Sequence, residues 1–185
     1  MRLFFGIELP PDAGAALGRT RPGGTPADDH GYRWVDPALL HVTLAFLGEQ
    51  PPAALESLRT VGRETAAQWP GGPIGLALAG FGAFGPRRAP RALWAGLAGD
   101  LAGLAGLQAA LAQRLRSLGV RLDDRPFAPH VTLARRRDGA PATTLPWPPA
   151  AGPPLAFPAE DFCLFDSQLA PTGPRYTVLD RFPLV

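Results

Sequence analysis

The sequence contains no lysine: all 18 of its basic residues are arginine. Against 16 acidic residues this leaves a formal net charge of only +2, so the pI near 9.3 reflects the high pKa of arginine rather than a surplus of positive charge. A polybasic nucleic-acid arm is thereby excluded. Arginine presents a planar fork that suits phosphate oxygens, so the composition permits an anionic ligand without requiring one. Cysteine is nearly absent. Cys163 stands alone, which rules out an internal disulfide and argues against a thiolate-rich metal site. Long hydrophobic runs are missing too: the opening MRLFFGIELP is broken by Glu8 and is too short for a signal-peptide core or a membrane span. A cytoplasmic chain with no membrane association is the expectation. The glycine-rich FGAFGP lacks the GK[ST] of a P-loop. Histidine is scarce as well, with three in 185 residues.

Two of those three share one pentapeptide. HVTLA occurs as LHVTLAFLG at Leu40 to Gly48 and as PHVTLARRR at Pro129 to Arg137. Both copies fall in segments that read as strands. Arg2 to Leu9 is an apolar strand ended by two prolines, and Asp12 to Arg19 a short helix. Thr20 to Gly31 is a polar loop, Tyr32 to Val35 a short strand, Leu40 to Leu47 a longer one, and Pro51 to Trp69 a helix. Ile74 to Ala79 and Arg91 to Leu97 suggest a hairpin whose wide turn contains FGAFGP. Asp100 caps a leucine-rich helix that Gly119 ends near Leu118. His130 to Arg135 is the second HVTLA strand. Pro141 to Pro158 reads as an irregular or polyproline connection, and Asp161 to Ser167 and Tyr176 to Phe182 as late strands.

With 46% hydrophobic residues, the chain can bury one core or two small lobes sharing one. The element order places each HVTLA strand among similar neighbours, as an approximate duplication does. The expected architecture is α+β: residues 1–185 form one unit of two pseudo-symmetric lobes. Each lobe is an antiparallel sheet with helices on its outer face, and the two surround a central groove.

Strand alternation puts His41 and Thr43 on one face and Val42 and Leu44 on the other, and likewise His130 and Thr132 against Val131 and Leu133. A lone histidine beside a threonine in an apolar strand is ordinarily a hydrogen-bonded core residue. Two in the same context argue for a shared task. Imidazole titrates near neutrality, so one ring can accept a proton while the other donates one, and two hydroxyls can bond phosphate oxygens. Facing each other across a groove, such units suit in-line chemistry at a phosphodiester. A zinc site falls short: there is no cysteine cluster, no HExxH and no third ligand. No metal and no cofactor are expected.

At these residues the chain resembles the RNA 2′,3′-cyclic phosphodiesterases, also called 2′-5′ RNA ligases, within the two-histidine phosphoesterases. The stretches that carry the resemblance run in order: RLFFGIELP, RWVDPALLHVTLAFLGE, PRALWAGL, the leucine-rich helix, RPFAPHVTLAR and SQLAPTGPRYTVLDRFPL. The resemblance implies hydrolysis of terminal RNA 2′,3′-cyclic phosphates to 2′-phosphates, with a reverse reaction that makes 2′-5′ linkages. It implies that His41 is the proton donor and His130 the proton acceptor, and that Thr43, Thr132 and Arg135 hold the phosphate. RNA ends or small cyclic nucleotides are the expected partners of a monomer. A ligase acting on tRNA halves and a non-catalytic RNA-end binding module are the alternatives.

Strict alternation from His130 puts Arg135 on the face away from the groove, so it reaches the phosphate only if the strand bulges, ends, or its stem curls round. Trp34 and Phe84 are the aromatics that can stack a base at the groove mouth. His30, in the polar loop, reads as a surface residue and Cys163 as a small core residue.

Overall fold

The computed structural model describes residues 1–21, 29–86, 88–140, 155–170 and 173–185. Its elements are β1 (Arg2–Glu8), α1 (Pro11–Gly18), β2 (Tyr32–Trp34), β3 (His41–Glu49), α2 (Leu55–Ala67), β4 (Ile74–Phe84), β5 (Ala92–Gly99), α3 (Leu101–Ser117), β6 (His130–Arg136), β7 (Leu155–Ala159), β8 (Asp161–Ala170) and β9 (Gly173–Pro183). The class is α+β, with the antiparallel strands curled into an open half-barrel. All nine strands join in the order β7-β4-β5-β6-β3-β1-β8-β9, with β2 laid against β6. The two expected lobes are the two halves of this sheet, β7-β4-β5-β6 and β3-β1-β8-β9. A single register pair, Val42 opposite Val131, joins them.

Alternation decides which face is covered. Leu3, Phe5 and Ile7 of β1, Val42 and Leu44 of β3, Val131 and Leu133 of β6, and Phe162 and Leu164 of β8 enter one core cluster. Leu58 and Val61 of α2 and Leu104, Leu107, Leu111 and Leu115 of α3 enter the same cluster, so the helices cover that face. Replacing a buried leucine such as Leu107 by alanine costs about 2–5 kcal/mol at sites of this kind. The packing is close: a β-carbon on Gly62 of α2 would lie 2.3 Å from the Phe182 ring. Among the described residues, the opposite face carries only a small satellite cluster of Phe4, Cys163 and Phe165, with Tyr176 against it, and no helix covers it.

The caps follow the sequence. The Asp100 side chain accepts from the Gly103 amide at 2.7 Å and starts α3. Gly119, at φ +78°, ends it with the Val120 amide bonded back to the Leu115 carbonyl, a Schellman closure. Among the described residues no helix is long and apolar enough to cross a membrane.

Four boundaries differ from the sequence reading. FGAFGP is not a turn: β4 continues through Phe84, because Gly80 at φ +67° absorbs one extra residue in a bulge and lets pairing with β5 resume at Phe81. The helix expected from Pro51 begins with a 3-10 turn, Pro52–Ala54, and α2 proper starts at Leu55. Most of the proline-rich connection lies outside the described residues, but its end, Leu155–Ala159, is the edge strand β7, paired with β4. An edge strand tolerates Pro158 because one side of it has no ladder to complete. The last two strands extend beyond their expected ends and form a long hairpin.

Candidate active site

The seam between the half-sheets brings the two HxT motifs together. Continuing the antiparallel register one residue either side of Val42 and Val131 sets His41 across from Thr132 and Thr43 across from His130. All four belong to the open face and all four are half-buried. Strand rise and spacing put the two histidine Cα atoms about 8 Å apart. Among the described residues neither threonine hydroxyl has a hydrogen-bond partner in the protein.

Both imidazoles are held the same way. His41 Nδ1 donates to the Leu39 carbonyl at 2.9 Å, and His130 Nδ1 donates to the Ala128 carbonyl at 2.7 Å, two residues back in each case. A carbonyl can only accept, so Nδ1 carries the proton in both rings and Nε2 is the exchangeable nitrogen. The local sequence fixes these carbonyls. Asp36 caps the 3-10 turn Pro37–Leu39, accepting from the Ala38 amide at 2.9 Å, and the turn delivers Leu39. Before His130, Pro129 disfavours helical backbone at Ala128 and biases it toward an extended conformation.

The strands share an irregularity that simple alternation missed. In β3 the register passes from Thr43 to Ala45 and skips Leu44; in β6 it passes from Thr132 to Ala134 and skips Leu133. The same position of HVTLA is a β-bulge in both halves. Leucine and alanine are therefore buried in succession, and the next residue, Phe46 or Arg135, is exposed. This decides the placement of Arg135. On unbulged β5, Gly96, Trp94 and Ala92 share a face, and they pair with His130, Thr132 and Arg135. Arg135 thus shares the open face with the histidines, and its positive charge bears on both His41 and Tyr176.

Aromatic rings wall both histidines. His41 lies 4.7 Å from Phe4 and 5.2 Å from Tyr176, which meets it edge-on. A β-carbon on Gly6 would lie 2.8 Å from the Val42 carbonyl oxygen, so glycine lets β1 and β3 approach closely beside the Phe4 and His41 rings. Burial lowers the His41 pKa; the Leu39 hydrogen bond opposes this, Arg135 and His130 add to it, and Glu8, opposite His41 on β1, also opposes it. Glu8 is itself tied to Arg181, which also bonds Asp161 at 2.9 Å. His130 is met edge-on by Phe84 at 4.9 Å, with Trp94 at 6.4 Å.

Phe84 therefore lies at the site, delivered by the unexpected length of β4. Trp34 faces the other way, packed against Tyr32, Leu93 and Ala134, with Arg21 over its ring at 5.8 Å. Phe4, Tyr176 and Trp94 escaped the sequence reading of the site, although Phe4 and Trp94 stand in quoted stretches as aromatic-x-Gly. His30, in left-handed conformation at φ +49°, sits by the far end of β6, where the Gly31 carbonyl accepts from Arg137. Cys163 is buried on the open-face side, and burial pushes its thiol up to about 12, which disfavours the reactive thiolate.

Comparison with known proteins identifies the family. The family model of the 2′-5′ RNA ligase superfamily matches residues 9–170. The RNA 2′,3′-cyclic phosphodiesterase of Thermus thermophilus is 39% identical, the alignment covering 100% of this chain and 90% of that protein. The Escherichia coli RNA 2′,3′-cyclic phosphodiesterase is 32% identical over 99% of this chain and 96% of its own. The crystal structure of E. coli LigT complexed with 3′-AMP superposes with a TM-score of 0.80 at 31% identity, covering 99% of this chain and 97% of that one. Paired HxT strands, joined at one register pair in a curled sheet, thus accompany a match over nearly the whole length, and the chain belongs to the 2′-5′ RNA ligase superfamily.

Proposed function

We propose that this protein hydrolyses terminal 2′,3′-cyclic phosphates of RNA to 2′-phosphates, using His41 and His130 as acid and base and no metal ion. The observation that carries the reading is the matched anchoring of the two imidazoles across the seam, each with Nδ1 on its own backbone carbonyl and Nε2 left for proton transfer. His130 Nε2 takes a proton from water as the water oxygen attacks phosphorus. The bond from phosphorus to O3′ breaks, and His41 Nε2–H protonates the departing O3′. Thr43, Thr132 and Arg135 hold the phosphate oxygens and favour the extra charge of the transition state. A 5′-hydroxyl in place of water gives a 2′-5′ linkage by the same step.

His41 must be charged to donate. Burial opposes that, while Glu8 supports it. A bound phosphate adds negative charge beside the ring and offsets Arg135, so substrate itself promotes the donor state.

The test is turnover of a nucleoside 2′,3′-cyclic phosphate and of an oligoribonucleotide ending in one, with and without excess EDTA. A 2′-phosphate product that forms undiminished in EDTA is expected. A 3′-phosphate product reverses the proposed leaving group, and loss of activity on chelation that one divalent metal restores overturns metal-free acid–base catalysis.

A further inference from the structure

β2 is three residues long and lies against β6 at Ala134 to Arg136, beyond the seam pair with β3. Tyr32 and Trp34 turn into the core, so Arg33 between them turns to the open face. Its register partner is Arg135. Two guanidinium groups therefore stand directly opposite each other, an arrangement that like-charge repulsion disfavours. Both are exposed, and among the described residues neither has an ion pair or a side-chain hydrogen bond. Other arginines nearby are engaged: Arg136 bonds the Ala140 carbonyl, and Arg137 bonds Asp29 at 2.6 Å. Arg33 and Arg135 are thus, among the described residues, a doubly positive site with no counter-ion, on the same face as both histidines. Arg135 lies two sheet rungs from Thr132, about 7 Å, and Arg33 one strand further.

We infer that Arg33 binds the backbone phosphate on the 5′ side of the nucleotide whose cyclic phosphate reacts. This rests on the phosphodiesterase reading and adds a second phosphate subsite to it. A cyclic 2′,3′-phosphate occupies the 3′ end of a strand, so every other phosphate of the substrate lies on the 5′ side of the reacting nucleotide. With the reacting phosphate at the HxT pair and Arg135, the next one falls to Arg33, whose fork matches two phosphate oxygens. Such a contact positions the strand without reading its sequence.

Three substrates test this: a nucleoside 2′,3′-cyclic phosphate, the same compound bearing a 5′-phosphate, and an oligoribonucleotide with a cyclic end. In R33Q, kcat/KM is expected to fall roughly tenfold for the two substrates that carry a 5′ phosphate, the lower end of what a lost hydrogen bond to a charged group costs. It should fall less than twofold for the plain nucleoside. Loss confined to the oligoribonucleotide assigns the subsite to an internucleotide phosphate alone; loss on both accepts a terminal 5′-phosphate as well. For the oligoribonucleotide, the slope of log kcat/KM against log salt should become shallower by about 0.7, one phosphate contact on a single strand. R33K, which keeps the charge but not the fork, should recover part of the loss. An equal fall on all three substrates, or no fall on any, overturns the inference while leaving the phosphodiesterase reading intact. No turnover of any substrate by the unmodified protein overturns that reading and this inference with it.

Discussion

The two halves of the sheet solve one backbone problem by different means. Each carries HVTLA with a bulge at its leucine, and a bulge leaves a carbonyl outside the ladder. In the His41 half, the Leu44 carbonyl is met by the Gln108 side chain of α3 at 3.3 Å; in the His130 half, the Leu133 carbonyl is met by the Val35 amide at 2.8 Å. The surroundings differ as well. His41 is enclosed by Phe4, Phe165 and Tyr176, whereas His130 meets Phe84 and Trp94 near solvent. Beyond the bulge one half has Phe46, with Arg2 over its ring at 5.0 Å, and the other has Arg135. What the halves share is the presentation of an imidazole and a hydroxyl. What they do not share is the number of rings around the imidazole and the charge beyond the bulge, and surroundings of this kind tune an imidazole's affinity for a proton.

The largest expected effect comes from breaking the shared part. His41→Ala and His130→Ala should each reduce kcat by ~10²–10⁴ with the fold retained, the usual cost of removing a general acid or base. His30→Ala should change kcat little. Near-normal turnover of either HxT variant, with circular dichroism showing native structure, would mean that the repeat is structural.

Next comes the residue after the bulge, where the halves diverge. Arg135→Phe gives the His130 half the side chain of its counterpart and removes the proposed hydrogen bond to the phosphate, which should cost about 1.5–3 kcal/mol, or roughly 10–150-fold in kcat/KM. Adding Phe46→Arg to that variant returns the lost charge, but on the other half. No recovery of kcat/KM is expected if, as proposed, the phosphate is held asymmetrically between acid and base. Full recovery would show that the halves are interchangeable at this position.

Much of this was legible in the sequence. The helix caps at Asp100 and Gly119, the core faces of the strands and the convergence of His41 with His130 all follow from short-range chemistry and from a period of two. The bulges were not legible. Strict alternation sends Ala45 and Ala134 to the open face, and only the succession of two apolar residues in both copies hints otherwise. That one extra residue carries Arg135 to the site. Glycine misled the reading in the same way, since Gly80 in a left-handed bulge prolongs β4 where a turn was expected and so brings Phe84 to His130. Tyr176 reaches His41 through a long-range pairing, β8 with β9 and β8 with β1, that local patterning does not encode.

A smaller effect probes how the bulges are supported. Gln108→Ala leaves the Leu44 carbonyl without its side-chain partner and should cost about 0.5–1.5 kcal/mol of stability, read as a lowered denaturation midpoint. The other bulge relies on backbone alone and has no such side chain to remove. If Gln108→Ala is neutral in stability, water replaces the amide and the two bulges are equally self-sufficient.

The smallest effect concerns the His41 imidazole. The His41 pKa is lowered in the folded protein, chiefly by burial, so below the ordinary histidine value of about 6.5 the unfolded chain binds a proton that the folded chain resists. Stability rises with pH wherever the unfolded state holds more protons. The contribution of neutral His41 is therefore fully present above about pH 6.5 and is lost as pH falls through that value toward the lower folded pKa. The difference in unfolding free energy between the unmodified protein and H41Q isolates this group, because other titrations occur in both. Urea denaturation from pH 7.5 to pH 5 should show the difference moving against the unmodified protein as acidity rises. Adding inorganic phosphate should flatten that trend, since an anion beside Arg135 raises the His41 pKa toward its unfolded value. A difference that stays constant with pH, or moves in favour of the unmodified protein in acid, would mean that His41 is as readily charged in the fold as in water. Its enclosure by Phe4, Phe165 and Tyr176 would then serve to orient the ring rather than to tune its proton.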